Sequence, residues 1–226
     1  MMFKGIIFDF NGVLWWDKEL QEDSWNRFAN SFRGYAFTQE EQEVHVHGRN
    51  MAYTLTYLAG HPLNQGEVED LTEQKEKVYR QLCLEQGTGF RLSPGAESLL
   101  DFLRQHEISR TIATASGIVN LNFFLQHLSL ERWFKLEQII YDDGTTPGKP
   151  APDFYQLAAQ NLDLGVEQCV VVEDSLSGIQ AAHVAGIGHI IALAPAGRHA
   201  EIATFEGADS VVEDLSEIPK EKLFLD

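Results

Sequence analysis

The chain has 226 residues, of which 44% are hydrophobic and 11% aromatic, and its 34 acidic and 17 basic residues give a formal charge of −17. This length allows one large domain or a main domain with a smaller insert, and the apolar content excludes a disordered chain. The negative charge argues against nucleic acid and anionic membranes as partners.

No stretch of the sequence approaches the ~18–20 apolar residues that a membrane helix requires, and the first residues lack a signal-peptide pattern. We therefore expect a soluble, cytoplasmic protein. Cys83 and Cys169 lie far apart in the chain, which predicts two free core thiols instead of a disulfide. The oligomeric state stays open.

Short apolar runs typical of buried strands alternate with segments of helical spacing. The predicted strands cover 3–8, 111–115, 169–172 and 189–194, with weaker runs at 136–141 and 210–212. The predicted helices between them cover 95–105, 119–128, 152–161 and 176–185. This alternation predicts an α/β fold with a Rossmann-like parallel sheet flanked by helices.

Residues 17–88 have a different pattern, because they show helical spacing at 19–32, 40–46, 51–58 and 68–85 and no convincing strand. We predict that they form a small all-helical cap inserted after the first strand, whereas 1–16 and 89–226 form the α/β core. A cap at that point would cover the carboxyl edge of the sheet, where ligands of open α/β sheets bind. A helical layer without a gating role is the alternative.

Polar residues gather at the carboxyl ends of the predicted strands. They form the segments DFNG at 9–12, TASG at 114–117, GKP at 148–150 and EDS at 173–175. Each segment alone is weak evidence for a functional site, because carboxylates often end strands as turn formers or helix caps. Together they predict a site for phosphoryl transfer.

Each segment supplies one requirement of that chemistry. Asp9 can attack phosphorus if a cation neutralises the developing charge. Ser116 and the backbone N–H of Gly117 can bind phosphate oxygens at the start of a helix, and Lys149 offers a compensating point charge.

Hard oxygen donors in the same segments indicate a magnesium site. Glu173 and Asp174 are adjacent carboxylates that suit Mg²⁺ directly or through water. Asp9 and the backbone carbonyl of Asn11 would complete the ligand set with substrate phosphate and water.

The motifs DFNGVL, TASG, GKPAPDFY and VVEDSLSGIQAAHVAG occur in an order that resembles the haloacid dehalogenase superfamily. The resemblance is to the branch with a helical cap after the first strand, which includes β-phosphoglucomutase-like enzymes and phosphoglycolate-type phosphatases. It implies that Asp9 is a nucleophile that forms an aspartyl-phosphate, that Ser116 and Lys149 bind phosphate, and that Glu173 and Asp174 bind magnesium. The implied substrate is a small phosphorylated metabolite, such as a sugar phosphate.

Asn11 departs from that family's pattern, which normally has a second aspartate as acid and base. An amide cannot exchange a proton near neutral pH, and general acid–base catalysis contributes ~10²–10⁴-fold. Four explanations stay open: a natural variant for substrates with good leaving groups or with water positioned by another residue, a substitution introduced to stall turnover, a non-catalytic phosphate-binding member, and deamidation at Asn11-Gly12. We favour the natural variant.

Other chemistries of the superfamily are disfavoured by particular residues. Dehalogenases lack an acidic pair such as Glu173-Asp174. Phosphonoacetaldehyde hydrolases need a Schiff-base lysine from the cap, and we expect the candidate lysines Lys18, Lys75 and Lys77 at the surface. Hexose-phosphate mutases hold a histidine where this chain has Gln21, so a mutase is the less favoured alternative.

Two further residues are candidates for contacts with substrate. Arg49 could reach a substrate anion, although a solvated charge at a helix end explains it equally well. Asn120 follows Gly117 by three residues and matches a position that contacts substrate in some relatives. The alternative for Asn120 is local hydrogen bonding at the helix start.

Overall fold

The structure is a computed structural model that describes residues 2–46, 50–195, 197 and 206–225. Its strands are β1 (Gly5–Phe8), β2 (Ser109–Gly117), β3 (Ile140–Asp142), β4 (Cys169–Glu173), β5 (His189–Leu193) and β6 (Ser210–Val212). They form one sheet in the order β3-β2-β1-β4-β5-β6, and all neighbours are parallel. The predicted α/β fold with a parallel sheet is confirmed.

The helices are α1 (Lys18–Arg33), α2 (Gln39–Glu41), α3 (Met51–Ala59), α4 (Gln65–Glu85), α5 (Ala96–Gln105), α6 (Ile118–Leu128), α7 (Asp153–Asn161), α8 (Leu176–Ala185) and α9 (Lys220–Phe224). A π-helical turn, Gln42–Val46, follows α2. Short 3₁₀ turns cover Gly87–Gly89, Leu130–Arg132, Leu136–Gln138, Val166–Gln168 and Leu215–Glu217.

The chain divides into two compact units, Met1–Trp16 with Arg91–Asp226 and Asp17–Phe90. The first unit contains the sheet. The described residues of the second unit form helices and turns without a strand. The sequence analysis predicted that the helical segment ends at residue 88, two residues before the second unit ends in the structure. This difference is within the usual uncertainty of element ends.

The central strands of the first unit are apolar throughout because both faces of a parallel sheet are covered. All of β1 and β4 is buried, and α7 and α8 pack against them through a cluster that includes Phe154, Ile179 and Ala182. Cys83 and Cys169 are free and buried, as predicted. No helix of the described residues is long and apolar enough to cross a bilayer.

The second unit has a small core of its own. Trp25, Phe28, Leu55 and Leu58 pack together from α1 and α3, and the amphipathic helix α4 buries Tyr79 on its inner face. A capping box between Asn64 and Glu67 begins α4 and satisfies backbone N–H groups that have no partner within the helix.

The prediction that Lys75 lies at the surface is wrong, because its side chain is 1% exposed on α4. Its ammonium donates hydrogen bonds to Gln21 Oε1 at 2.8 Å and Glu76 Oε1 at 3.0 Å. It also lies 5.1 Å from the ring centre of Trp25. These partners offset the cost of burying the charge. The other two lysines of that prediction are exposed.

Candidate active site

The register of the central strands brings the ends of β1, β2 and β4 together. Phe8 pairs with Ile112 on one side and Val172 on the other, and the N–H of Asp9 donates to the carbonyl of Val172 at 3.0 Å. Asp9 therefore leaves the sheet at the level of Ala113 and Glu173. The topology alone assembles three of the four predicted segments at one edge.

Lys149 joins the fourth segment to this edge. Its ammonium donates to Asp9 Oδ1 at 2.6 Å, to Glu173 Oε1 at 2.6 Å and to the carbonyl of Ala113 at 3.2 Å. The side chains of Lys149, Asp9 and Glu173 are 7%, 11% and 1% exposed. Because all three charged groups are withdrawn from water, their mutual attraction is stronger than at a surface.

Both carboxylate oxygens of Glu173 are engaged by protein donors. Oε1 accepts from Lys149 and from the hydroxyl of Tyr155 at 2.9 Å. Oε2 accepts three hydrogen bonds of 2.9 Å, from the N–H of Asp174 and from the N–H and hydroxyl of Ser175. These donors allow a charged carboxylate to be buried completely.

The three charged groups of this cluster differ in how their pKa values are shifted. Burial raises the pKa of Asp9 to about 7, opposed by Lys149 and reinforced by the charge of Glu173. Burial acts in the same direction on Glu173, but Lys149 and the other donors outweigh it and lower the pKa of Glu173. Burial acts against the charge of Lys149, but the two carboxylates hold its pKa well above the usual value. Glu173 and Lys149 thus form the ion pair, and Asp9 is the weaker acid that a further cation would ionise.

The side chains of Asn11 and Ser116 are in direct contact. The hydroxyl of Ser116 donates to Asn11 Oδ1 at 2.8 Å, and its N–H is held by Thr114 Oγ1 at 3.1 Å. This bond fixes the amide group of Asn11 two residues beyond Asp9. The sequence prediction did not foresee it, since it assigned Ser116 to phosphate alone.

Asp174 lies close to the loop after Asp9. A Cβ atom at Gly12 would overlap the carboxylate of Asp174, and the φ angle of Gly12 is +83°. Glycine is required there both by conformation and by the close approach of the carboxylate. Asp174 thus lies against the loop that carries Asp9 and Asn11.

The three acidic residues predicted to bind a metal are Asp9, Glu173 and Asp174, and that role stays a prediction. Within residues 2–46, 50–195, 197 and 206–225, no three side chains of His, Cys, Asp or Glu are arranged to hold a metal ion. The ammonium of Lys149 contacts two of these three acids, Asp9 and Glu173. Two carboxylates, Asp9 and Asp174, and the carbonyl of Asn11 fit Mg²⁺, which commonly takes one or two carboxylates with phosphate and water.

The remaining predicted residues occupy separate positions. Gly117 ends β2 and is the residue before α6, in extended conformation, so its N–H lies at a helix start. Asn120 is buried in the first turn of α6. Arg49 falls outside the described residues.

Tyr155 is the residue that sequence reasoning missed. It is fully buried in the first turn of α7, and its ring centre lies 5.0 Å from Lys149 Nζ. Tyr155 ends the motif GKPAPDFY, six residues after Lys149, and this position could have indicated a role at the site. An aromatic residue at that position is equally well explained by core packing.

Comparison with known proteins places the chain among hydrolases. A model of the haloacid dehalogenase-like hydrolase family matches residues 3–186. The phosphorylated carbohydrates phosphatase of Thermotoga maritima is 29% identical over 197 residues, which cover 83% of both proteins.

Two solved structures are similar over nearly the whole chain. A HAD hydrolase of family IA, variant 3, from Entamoeba histolytica is 31% identical with a TM-score of 0.91, and the match covers 97% of each chain. An Asp-to-Asn mutant of CbbY from Rhodobacter sphaeroides in complex with xylulose-(1,5)bisphosphate is 25% identical with a TM-score of 0.81. That match covers 99% of this chain and 100% of the other.

Proposed function

Because this chain belongs to the haloacid dehalogenase-like hydrolase family, we propose that it is a phosphoric monoester hydrolase that transfers the phosphoryl group of a small metabolite to Asp9 and then to water. The observation that carries this proposal is the buried carboxylate of Asp9 at the end of a central strand, 2.6 Å from the ammonium of Lys149. A nucleophile and a compensating cation are thereby held together before substrate arrives.

In the first half-reaction, a carboxylate oxygen of Asp9 attacks phosphorus and the bond from phosphorus to the ester oxygen breaks. The electron pair of that bond leaves with the alcohol. Lys149 stabilises the charge on the phosphoryl oxygens, and the Ser116 hydroxyl and Gly117 N–H bind them. The product is an acyl phosphate on Asp9.

Asp9, Asp174 and the carbonyl of Asn11 would hold Mg²⁺ at this edge. When bound, the ion would neutralise phosphate charge and favour the ionised form of Asp9. Glu173 is assigned to Lys149 in this proposal, because its oxygens already accept five hydrogen bonds.

In the second half-reaction, water attacks phosphorus and the bond to Asp9 breaks, so that inorganic phosphate forms and Asp9 is regenerated. Asn11 cannot protonate the leaving alcohol or deprotonate this water. The alcohol must then take its proton from solvent, and both half-reactions are slowed. We expect turnover that depends strongly on the acidity of the leaving group.

The proposed substrate class is sugar phosphates. One relative is named a phosphorylated carbohydrates phosphatase, and another a hexitol phosphatase A from Escherichia coli, 29% identical over 200 residues. The CbbY mutant holds a sugar bisphosphate. A mutase is less favoured, because the side chain of Gln21 is already bonded to Asp17 and Lys75.

The test is to restore the missing acid with Asn11→Asp and to assay sugar phosphates and p-nitrophenyl phosphate with and without Mg²⁺. We expect kcat on sugar phosphates to rise by about 10²–10³-fold, the usual contribution of general acid–base catalysis. The gain on p-nitrophenyl phosphate should be smaller, because its leaving group needs little protonation.

The matched control is Asn30→Asp, the same amide-to-acid change at an exposed position of α1, which should leave turnover unchanged. Asp9→Asn should abolish turnover of both substrates. If Asn11→Asp stays inactive while the wild-type chain still binds inorganic phosphate, the protein is a phosphate-binding member and the enzymatic proposal fails. An intact-mass measurement of the untreated chain separately tests for deamidation of Asn11.

A further inference from the structure

Tyr155 has no part in the steps described so far, although it is fully buried against Lys149 and Glu173. Its hydroxyl donates to Glu173 Oε1 at 2.9 Å. The same oxygen accepts the ammonium of Lys149 at 2.6 Å. The two donors therefore share one acceptor and compete for it.

The ring of Tyr155 also contacts Lys149 directly. Lys149 Nζ lies 5.0 Å from the ring centre, within the range of a cation–π interaction. The phenol group therefore borders the ammonium on one side, while Asp9 Oδ1 and the Ala113 carbonyl accept hydrogen bonds from it. The ammonium has three N–H donors, which these oxygens and Glu173 Oε1 use.

We propose that Tyr155 is a positioning residue that, by sharing Glu173 Oε1, holds the Lys149 ammonium toward Asp9 and the phosphate. Without the hydroxyl, Glu173 Oε1 would lose the hydrogen bond from Tyr155, and Glu173 would hold the ammonium of Lys149 more strongly. Its hydrogen bond to Asp9 would lengthen. The proposal rests on the proposed function only where it concerns phosphate.

The test is Tyr155→Phe, which keeps the ring and removes the hydroxyl. The matched control is Thr111→Val, because Thr111 is also fully buried in the same unit and its hydroxyl also donates one hydrogen bond, to the Gln138 carbonyl at 2.7 Å. Both variants lose one buried hydroxyl hydrogen bond, so both should lose similar stability. Only Tyr155→Phe changes the surroundings of Lys149.

Two measurements follow on the folded proteins. The first is the NMR signal of the ¹⁵N-labelled Lys149 side chain, assigned with Lys149→Met, which reports the position of the ammonium without any ligand. The second is the affinity for inorganic phosphate by calorimetry in the presence of Mg²⁺. We expect Tyr155→Phe to shift the Lys149 signal and to weaken phosphate binding about tenfold, as for loss of a hydrogen bond to a charged group, whereas Thr111→Val does neither.

An unchanged Lys149 signal in Tyr155→Phe overturns the positioning role, and the proposed function then still stands if Lys149→Met abolishes phosphate binding. A shifted signal supports the positioning role. If the signal shifts but neither Tyr155→Phe nor Lys149→Met weakens phosphate binding, positioning is retained and the phosphate role of Lys149 is lost. A loss of stability with no change in either measurement, as in the control, would mean that Tyr155 is only structural.

Discussion

Among the residues that the structure describes, two lysine side chains are almost completely buried, one in each unit, and their charged partners differ. Lys149 donates to two carboxylates, Asp9 and Glu173. Lys75 donates to the amide of Gln21 and to one carboxylate, Glu76, whose side chain is 15% exposed. Lys75 and Glu76 therefore balance each other's charge. Lys149, in contrast, is one positive charge between two carboxylates, Asp9 and Glu173.

That difference supports the proposal that the Lys149 cluster is reactive and the Lys75 cluster is structural. The second carboxylate at Lys149 has its pKa raised to about 7 by burial, so Asp9 is not fully compensated by its partners. A pKa shifted in this way is typical of catalytic sites. Lys75 is paired with Glu76 and braces α4 against α1. The nearby carboxylate of Asp17 accepts hydrogen bonds from the neutral side chains of Gln21 and Tyr79 at 3.0 and 2.6 Å.

The largest effect should come from removing the ammonium at the reactive cluster. Lys149→Met leaves two buried carboxylates without their shared partner, which should lower the free energy of unfolding by about 3 kcal/mol. It should also reduce kcat/KM by about 10²–10³-fold, as for the loss of one oxyanion-stabilising donor. Urea unfolding and steady-state assays measure the two effects separately. A variant with normal turnover would remove Lys149 from the mechanism.

The same substitution at the other lysine sharpens the comparison. Lys75→Met should lower the free energy of unfolding by about 1–2 kcal/mol, because the Gln21 carbonyl loses a donor and Glu76 can turn to solvent. Phosphate affinity and kcat/KM should stay at wild-type values. A loss of phosphate binding comparable to that of Lys149→Met would contradict the assignment of Lys75 to structure.

The smallest predicted effect concerns the ion pair of Arg33 and Glu41, which lies nearer the surface of the second unit than Lys75 does. Hydrogen bonds from Arg33 lower the pKa of Glu41 to about 2, and Arg33 contacts both carboxylate oxygens of Glu41, at 2.9 and 3.0 Å. A lowered pKa stabilises the fold above the unfolded value near 4.5, and this stabilisation is lost as pH falls toward 2.

Solvent screening limits the contribution of this pair to about 1 kcal/mol. Glu41→Gln should therefore lower stability by that amount at pH 7, and by progressively less as the acid titrates. Thermal unfolding of wild type and variant between pH 7 and pH 3 measures this difference. A difference that is constant across this range would rule out titration of Glu41 as its cause.

The strands were predictable where continuous apolar runs mark burial on both faces. The run at 169–172 became β4 (Cys169–Glu173), and the segment 210–212 became β6 (Ser210–Val212). The run at 136–141 gave only the short strand β3 (Ile140–Asp142), preceded by a 3₁₀ turn. The order of strands in the sheet could not be read, because spacing along the chain does not specify which strands pair.

The site was predictable as a set of segments but not in its internal contacts. Neighbouring residues at a strand end point to opposite sides. Glu173 consequently turns inward to Lys149, while Asp174 approaches Gly12. Sequence adjacency had suggested a joint role in metal binding for the two acids, and that role stays a prediction.

The burial of Lys75 had a signal that the prediction overlooked. The residues buried on α4 are Lys75, Tyr79, Leu82 and Cys83. The last three follow Lys75 by four, seven and eight residues, which places all four on one face of the helix. The general tendency of lysine to be exposed outweighed this pattern in the prediction. The pattern was the better guide.

The most direct test of the account is to locate the phosphoryl group during turnover. Because Asn11 cannot activate water, the acyl phosphate on Asp9 should accumulate when the wild-type chain is mixed with p-nitrophenyl phosphate and Mg²⁺ and then quenched in acid. Mass spectrometry should find one phosphoryl group on the peptide that contains Asp9 and none in Asp9→Asn. Release of p-nitrophenol without phosphorylation of that peptide, or with the group on another residue, would contradict the account.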